Sequence, residues 1–362
     1  MTKQAAAPVW QSTKEKVQRA AYRQARQAIE RRRNPRLKIT FSDRPAPSTL
    51  YFLTPDYDIP SGGIRVIYRH VDILNEAGIK AMVLHQRKGF RCTWFANQTA
   101  ITDVHTSAVG PGDVLVVSEL HVEQLNALPP GIRHIVLNQN AHLTWRQHAD
   151  LVGDHYAHSP DLLGIIVVSE HNAELLRYVY PERTIHRVRN GLDSAIFHLP
   201  AEPKARRLAC FPRRGQQDLT MVLQILRARR ALDGWEVFPL DSLDQAAFGA
   251  GLRTSAITLS LSYQEGFGLP GAEAMACGNY VIGYHALAGR EYMRPEFSAT
   301  VEAGDVMTVA AVTANAIAEE DQDGGWCLAR GQLASAFVLD QYSTERERDS
   351  VVAAYRDLLA RG

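Results

Sequence analysis

The sequence has few cysteines, and Cys92, Cys210, Cys277 and Cys327 are scattered along its 362 residues. Because no Cys-x-x-Cys spacing occurs, we expect neither a structural zinc site nor a disulfide framework, and reduced thiols of a cytoplasmic protein are the simplest interpretation. The sequence also lacks an unbroken apolar run of roughly 18–20 residues, which a membrane-spanning helix needs. There is no apolar signal core near the N-terminus, so secretion by a cleaved signal peptide is not expected.

Several catalytic and nucleotide-binding signatures are absent as well. The sequence contains no P-loop lysine motif, no G-x-S-x-G and no H-E-x-x-H. What is present is an ordinary globular composition, with 46% of residues in the AVILMFWYC set and 22% charged. The length suits two domains, and this composition excludes a disordered or collagen-like chain.

Charge is balanced overall at +1 and uneven locally, because residues 1–38 carry eleven Lys and Arg against two Glu. The stretch from 12 to 33 lacks Gly and Pro and predicts a helix with a thin, Ala-rich apolar stripe that ends before Asn34-Pro35. Two interpretations stay open: peripheral contact with an anionic membrane at its inner, cytoplasmic face, or a solvated helix packed on the body. Nucleic acid is not an expected partner, because Tyr22 is the one aromatic residue in this helix.

From residue 48 onward, predicted strands alternate with predicted helices, which indicates parallel sheets of βαβ units. We predict a basic extension (1–47), two Rossmann-like domains (48–200 and 201–341) and a C-terminal helix (342–362) packing back on the first domain. The fold class is therefore α/β, with two parallel sheets facing each other across a cleft. The main strands are predicted at 48–54, 81–85, 113–118, 134–138, 164–169, 184–188, 207–211, 235–240, 256–261 and 280–284.

The most informative segment is 261–278, LSYQEGFGLPGAEAMACG, where a strand is followed by a glycine-rich loop and a helix beginning at Pro270. The free N–H groups at the start of this helix suit phosphate or sugar oxygens. Glu265 and Glu273, on the loop and the helix, can accept hydrogen bonds from hydroxyl groups. A ligand with phosphates and two polyol parts, such as a nucleotide sugar, fits these residues better than a phosphate alone.

At this point the sequence resembles the retaining GT-B glycosyltransferases of family 4, through the E-x7-E signature formed by Glu265 and Glu273. Three further stretches support the resemblance: Ser61-Gly62-Gly63 before a helix, residues 165–197, and Tyr342-Ser343-Thr344-Glu345 before the last helix. The resemblance implies that Glu273 holds the ribose hydroxyls of the donor and Glu265 the transferred sugar. It also implies that the N–H groups of residues 267–269 bind the sugar and diphosphate, with Gly63 approaching from the opposite domain.

The sequence departs from the family pattern after the first strand of the second domain. Family members usually place an Arg and a Lys there, whereas this chain has Arg213-Arg214 and no following Lys. Either this pair neutralises the diphosphate or it is an ordinary solvated pair. The Pro-Arg-Arg arrangement resembles a bacterial rhamnosyltransferase subgroup. The donor-binding residues expected are Gly62, Gly63, Arg213, Arg214, Glu265, Gly266, Phe267, Gly268, Leu269 and Glu273.

Polar residues at the ends of other predicted strands are the remaining candidates. His142 and Asn140 follow the 134–138 strand, and His142 is expected to contact the sugar or the charge developing at its anomeric carbon. Asn140, His142 and Glu119 are expected to face the acceptor, together with loops near 86–108 and 140–160. Gly289-Arg290-Glu291 is expected to border the donor pocket. The catalytic assignments are Glu265, His142 and Arg213.

No metal site is expected, because Asp321 and Asp323 follow a helical run where a metal-binding D-x-D follows a strand. The function predicted is metal-independent, retaining transfer from a nucleoside-diphosphate sugar to the hydroxyl of a saccharide, lipid-linked or small-molecule acceptor, with no cofactor. Such a reaction belongs to polysaccharide, glycolipid or glycosylated natural-product synthesis. Two alternatives stay open: a non-catalytic nucleotide-sugar-binding protein and a nucleotide-sugar epimerase.

Overall fold

The computed structural model of the protein describes residues 36–43, 48–146 and 149–361. The predicted basic helix at 12–33, and the membrane contact assigned to it, therefore lie outside the described residues. The segment 36–43 packs on the first half of the chain. There, the backbone N–H of Leu37 donates to the side-chain oxygen of Gln124 at 3.0 Å, and Leu37 is buried.

The first half of the described chain is built on a parallel sheet. Its strands are β1 (Thr40–Phe41), β2 (Leu50–Leu53), β3 (Ala81–His85), β4 (Ile101–Asp103), β5 (Ala108–Val109), β6 (Val114–Ser118), β7 (His134–Asn138), β8 (Leu162–Val167) and β9 (Ile185–Arg187). Seven of these form one sheet in the order β4-β3-β2-β6-β7-β8-β9, while β1 pairs with β5. Every residue of β6 and β7 is buried, which explains why both read as unbroken apolar runs in the sequence.

The second half contains a separate parallel sheet. Its strands are β10 (Ala205–Cys210), β11 (Glu236–Pro239), β12 (Ser255–Ser260), β13 (Tyr280–Gly283) and β14 (Ser298–Thr300), in the order β11-β10-β12-β13-β14. Four of the five were predicted to within two residues at each end. The short strand β14 was not predicted, because three residues are too few to show an apolar alternation.

Helices cover both sheets. In the first half they are α1 (Gly62–Glu76), α2 (Val122–Leu125), α3 (Ala149–His158) and α4 (Glu170–Val179). In the second half they are α5 (Gln216–Ala228), α6 (Gln245–Thr254), α7 (Leu269–Ala276), α8 (Val306–Gln322), α9 (Trp326–Gln341) and α10 (Thr344–Arg361). In the sequence, Ile67, Val71 and Leu74 recur at helical spacing, and all three are buried in α1.

Two expectations about local structure need correction. Residues 140–160 were read as a loop, but most of the second half of that stretch is helix α3. Thr344 and Glu347 have capping-box spacing, yet the hydroxyl of Ser343 accepts the N–H of Arg346 at 3.3 Å. The carboxylate of Glu347 turns away and pairs with Arg69 of α1. The ion pair with the half-buried Arg69 therefore outweighs the local cap.

Helix α10 returns to the first half of the chain. The ring of Tyr355 lies 5.6 Å from that of Phe52 in β2, and Asp357 accepts a hydrogen bond from His186 of β9 at 2.8 Å. A single apolar cluster includes Phe52 and Val71 from the first half together with Phe267 and Tyr342 from the second. The two halves are thus joined by packed apolar surface, while the domain limits given above stay a prediction.

Candidate functional site

The loops that follow the carboxyl ends of the strands in the two sheets meet each other. Gly266, in the loop after β12, lies so close to the turn after β7 that a Cβ atom there would be 1.5 Å from the carbonyl oxygen of Gln139. The amide of Asn172 in α4 donates to the carbonyls of Gly266 at 3.3 Å and Gln139 at 3.4 Å. Ligands of parallel α/β sheets bind at such strand ends, so this junction is the candidate site.

Loop 264–268 is fixed on the side of the second sheet. The N–H of Glu265 donates to the carbonyl of Ala286 at 3.1 Å, and the hydroxyl of Tyr292 donates to the carbonyls of Phe267 and Gly268 at 3.1 and 2.9 Å. Gly268 has φ 84°, a conformation that favours glycine. It precedes α7, whose first turn contains Pro270 as predicted. The loop and the helix start thereby present their N–H groups in a fixed arrangement.

Glu265 lies against Arg214, the second arginine of the Pro-Arg-Arg segment. The guanidinium of Arg214 is 2.6 Å from the carboxylate, and 58% of the Arg214 side chain is exposed against 15% for Glu265. Burial raises the pKa of Glu265, while the charge of Arg214 opposes that rise. Arg213 faces the other domain and donates to the carbonyl oxygen of Pro60 at 3.1 Å. Both arginines therefore lie at the junction.

Glu273 is buried in α7 and pairs with Arg65, which lies in the first turn of α1. This ion pair crosses between the two halves of the chain. Sequence reasoning did not find Arg65. Its signal was its position, two residues after Gly63, which was itself expected to approach the diphosphate from the first domain.

The glycines before α1 are close to groups of the opposite strand ends. A Cβ atom on Gly62 would lie 3.0 Å from the Leu269 side chain. The carbonyl oxygen of Gly63 accepts a hydrogen bond from the Gln139 side-chain amide at 3.1 Å. The structure thus brings Gly62, Gly63 and Leu269 together, as the sequence-based site requires.

Glu119 supports the turn after β7. Its two carboxylate oxygens accept the N–H groups of Gln139 and Asn140, each at 3.1 Å. Burial raises the pKa of Glu119 to about 7, although these hydrogen bonds favour the charged form. In the structure its oxygens hold the backbone of the turn, and Asn140 in turn accepts the N–H of His142 at 3.1 Å.

His142 forms a pair with His171, a residue that was not predicted. Their Nε2 atoms are 2.9 Å apart and their rings are stacked at 5.0 Å. One ring must donate and the other accept, because two protonated rings would repel each other. Burial lowers the pKa of both histidines; the neighbouring His171 lowers the pKa of His142 further, and the charge of Arg290 lowers that of His171 further. The pair is therefore neutral at physiological pH.

The segment 289–291 also lies at the junction. Arg290 donates to His285 at 3.4 Å. Glu291 accepts hydrogen bonds from Arg187 at 2.5 Å, from the hydroxyl of Tyr342 at 3.1 Å and from the N–H of Glu170. Glu291 therefore links the second half of the chain to the start of α4. Its carboxylate positions these elements and is not an open group of the donor pocket.

Asp321 and Asp323 lie elsewhere. Asp321 accepts hydrogen bonds from the indole of Trp235 at 3.1 Å and pairs with Arg206 at 3.1 Å, and Asp323 accepts the N–H of Gly325. Throughout residues 36–43, 48–146 and 149–361, no group of three or more His, Cys, Asp and Glu side chains is arranged to hold a metal ion. Nor does any helix of these segments have the length and apolar character to span a membrane.

No protein-family model matches the sequence, and no curated protein matches it. Solved structures do match. Sucrose-phosphate synthase from Thermosynechococcus elongatus is 14% identical, with 87% of this chain and 100% of that chain covered and a TM-score of 0.65. A TarM variant from S. aureus, in complex with UDP, α-GlcNAc-glycerol and fondaparinux, is 9% identical, with coverage of 86% and 99% and a TM-score of 0.64.

HepE from Anabaena, in complex with UDP and glucose, is 12% identical to this chain. The match covers 85% of this chain and 99% of that one, with a TM-score of 0.62. At these identities the similarity concerns the fold. Together with the two parallel sheets and the junction between them, it shows that the protein has the GT-B fold.

Proposed function

We propose that the protein is a glycosyltransferase that moves a sugar from a nucleoside diphosphate to an acceptor hydroxyl. One observation carries the proposal. Glu265 and Glu273, spaced as E-x7-E, both lie where the two domains meet, each paired with an arginine. The carboxylates can bind polyol hydroxyls and the arginines can bind phosphate, so this group of side chains matches both parts of a sugar nucleotide.

The chemical difficulty of the reaction is the charge that develops on the departing diphosphate. We assign Arg213, Arg214 and the N–H groups of residues 267–269 to its stabilisation, because fixed donors need no reorganisation during reaction. Glu273 then holds the ribose and Glu265 the transferred sugar. Because these groups supply the positive potential that a divalent cation would otherwise supply, we propose that transfer is independent of metal and needs no other cofactor.

We propose that the anomeric configuration is retained, as the resemblance to family 4 implies. The departing phosphate takes the proton of the acceptor hydroxyl on the same face of the sugar. His142 is neutral in its pair with His171, so it can donate or accept a hydrogen bond without repelling the positive charge at the anomeric carbon. Closure of the two domains excludes water and limits hydrolysis of the donor.

We also propose the chemical class of the donor and of the acceptor. TarM and HepE, which share the fold, were each solved in complex with UDP, which supports a nucleoside-diphosphate donor here. The Pro212-Arg213-Arg214 segment favours a rhamnosyl donor. The acceptor is a saccharide, a lipid-linked saccharide or a small molecule, used in the cytoplasm or at the inner face of the membrane.

The test is a transfer assay with a panel of nucleoside-diphosphate sugars and acceptors, with and without EDTA, followed by mass and anomeric analysis of products. Transfer that survives EDTA and retains configuration supports the proposal. Glu265→Gln should abolish most of the activity, whereas Glu319→Gln, an exposed glutamate of α8, should not. A sugar nucleotide altered without acceptor indicates an epimerase, and nucleotide binding without turnover indicates a non-catalytic protein.

A further inference from the structure

Arg65 stands out among the charged side chains at the domain junction, because it was not assigned any role from the sequence. It is 9% exposed, and its guanidinium lies 5.9 Å from the centre of the Phe197 ring. A guanidinium this deeply buried is costly unless an anion balances it. Glu273 is the anion that the structure shows.

The position of Arg65 relates it to the place assigned to the diphosphate. It extends from the first turn of α1, two residues after Gly63, to Glu273 in α7. The starts of the two helices touch, because Gly62 faces the side chain of Leu269. The Arg65 side chain therefore reaches Glu273 in α7, the helix whose start is assigned to the diphosphate.

The number of donors on Arg65 exceeds what Glu273 uses. A guanidinium has five N–H donors in a planar fork, and the structure shows one of its nitrogens on one carboxylate oxygen of Glu273. The remaining donors can bind phosphate while the carboxylate keeps the side chain in place. Arg213, by contrast, is engaged with the Pro60 carbonyl and has Asp241 at 4.0 Å.

We propose that Arg65 is a further diphosphate-binding cation of this site, beside Arg213 and Arg214, and takes the place of the lysine that is missing after Arg214. Arg214 reaches the diphosphate from the second domain and Arg65 from the first, with Glu273 as the residue that positions Arg65. This inference rests on the proposed function. It adds an N-domain arginine to the donor site and makes diphosphate binding dependent on both domains.

The test compares the affinities of three ligands with the same base, the nucleoside, the monophosphate and the diphosphate, by calorimetry on the full chain. Arg65→Ala should weaken diphosphate binding about tenfold to a hundredfold, the effect of losing charge-assisted hydrogen bonds, and leave nucleoside binding unchanged. Arg65→Lys should restore part of the loss, because a lysine keeps the charge and loses the fork. Arg206→Ala, an arginine in the exposed pair with Asp321, should change neither affinity.

A second variant distinguishes a loss of phosphate binding from a loss of folded protein. Arg65→Met with Glu273→Gln removes both charges, so that no unpaired charge stays buried. It should keep the thermal midpoint near that of the wild type, above that of Glu273→Gln alone, and bind diphosphate no better than monophosphate. Equal losses for nucleoside and diphosphate, or no loss for either, would show that Arg65 only joins the domains. If the wild-type protein binds none of the three ligands, the proposed function fails as well.

Discussion

At the scale of single residues, two ion pairs at the site join the two halves of the chain. Arg65 pairs with Glu273, and Arg187 pairs with Glu291. Tyr292 is buried beneath the glycine loop. Its burial, and to a smaller extent the nearby charge of Glu265, keep the pKa of its hydroxyl well above the usual value. Its hydroxyl is therefore a permanent hydrogen-bond donor to the loop.

A first prediction concerns the pH dependence introduced by Glu119. Its pKa is about 7 in the folded protein against an ordinary 4.5, so the folded state loses stability relative to the unfolded chain as pH rises from about 4.5 to 7. The loss is on the order of 3 kcal/mol. Glu119→Gln removes this pH dependence. It also loses one of the two hydrogen bonds from the N–H groups of Gln139 and Asn140, because the N–H₂ end of a glutamine amide cannot accept a hydrogen bond.

The measurement is the thermal midpoint of wild type and Glu119→Gln across this pH range. The difference between the two should shift steadily in favour of the variant up to pH 7 and then stay constant. Parallel curves for the two proteins would show that Glu119 is not the group that titrates.

The residue scale also shows what the sequence could and could not predict. Glu265 and Glu273 were found because the strand, the glycine loop and the helix around them form one local sequence pattern. Arg65, Tyr292 and His171 were not found, because their importance depends on partners up to 208 residues away. Whether the predicted site residues bind the donor stays a prediction.

At the scale of elements, the glycine loop and α7 form the central unit of the site. Gly266 lies against the backbone of the turn after β7, so no side chain fits there. The pattern of strand, glycine loop and helix was readable in the sequence because it is local. The short strand β14 was not readable, because it depends on pairing with a neighbouring strand. The cap by Ser343 was not readable either, because it depends on Glu347 pairing with the distant Arg69.

A second prediction follows from Gly266. Gly266→Ala should separate the loop from the turn at Gln139, lower the thermal midpoint by several degrees and abolish stabilisation by the nucleotide. Its matched control is Gly153→Ala in α3, where no heavy atom lies within 4 Å of the new Cβ. That variant should be as stable as the wild type or up to about 1 kcal/mol more stable.

The measurement is differential scanning fluorimetry of both variants with and without the diphosphate that stabilises the wild type. An unchanged midpoint and an unchanged nucleotide response for Gly266→Ala would mean that the loop and the turn do not need to touch. Such a result would remove the domain junction from the site.

At the scale of the whole molecule, the two parallel sheets are joined by a shared apolar cluster and by α10. Alternation of strands and helices predicted both sheets, since most strands of a parallel sheet are buried and apolar. The side chains of the shared apolar cluster could not be predicted, because their spacing along the sequence shows no period. The proposed transfer reaction requires this junction to close around a ligand.

The most direct test of that requirement is the thermal stability of the purified protein against UDP, dTDP, GDP, ADP and CDP, with and without EDTA, beside Glu273→Ala. A diphosphate at about 100 times its dissociation constant should add about 2.7 kcal/mol to the free energy of unfolding. We expect one diphosphate to stabilise the wild type regardless of EDTA and to act weakly on Glu273→Ala. If none of the five changes the stability of the wild type, the junction does not bind a nucleotide and the account is wrong.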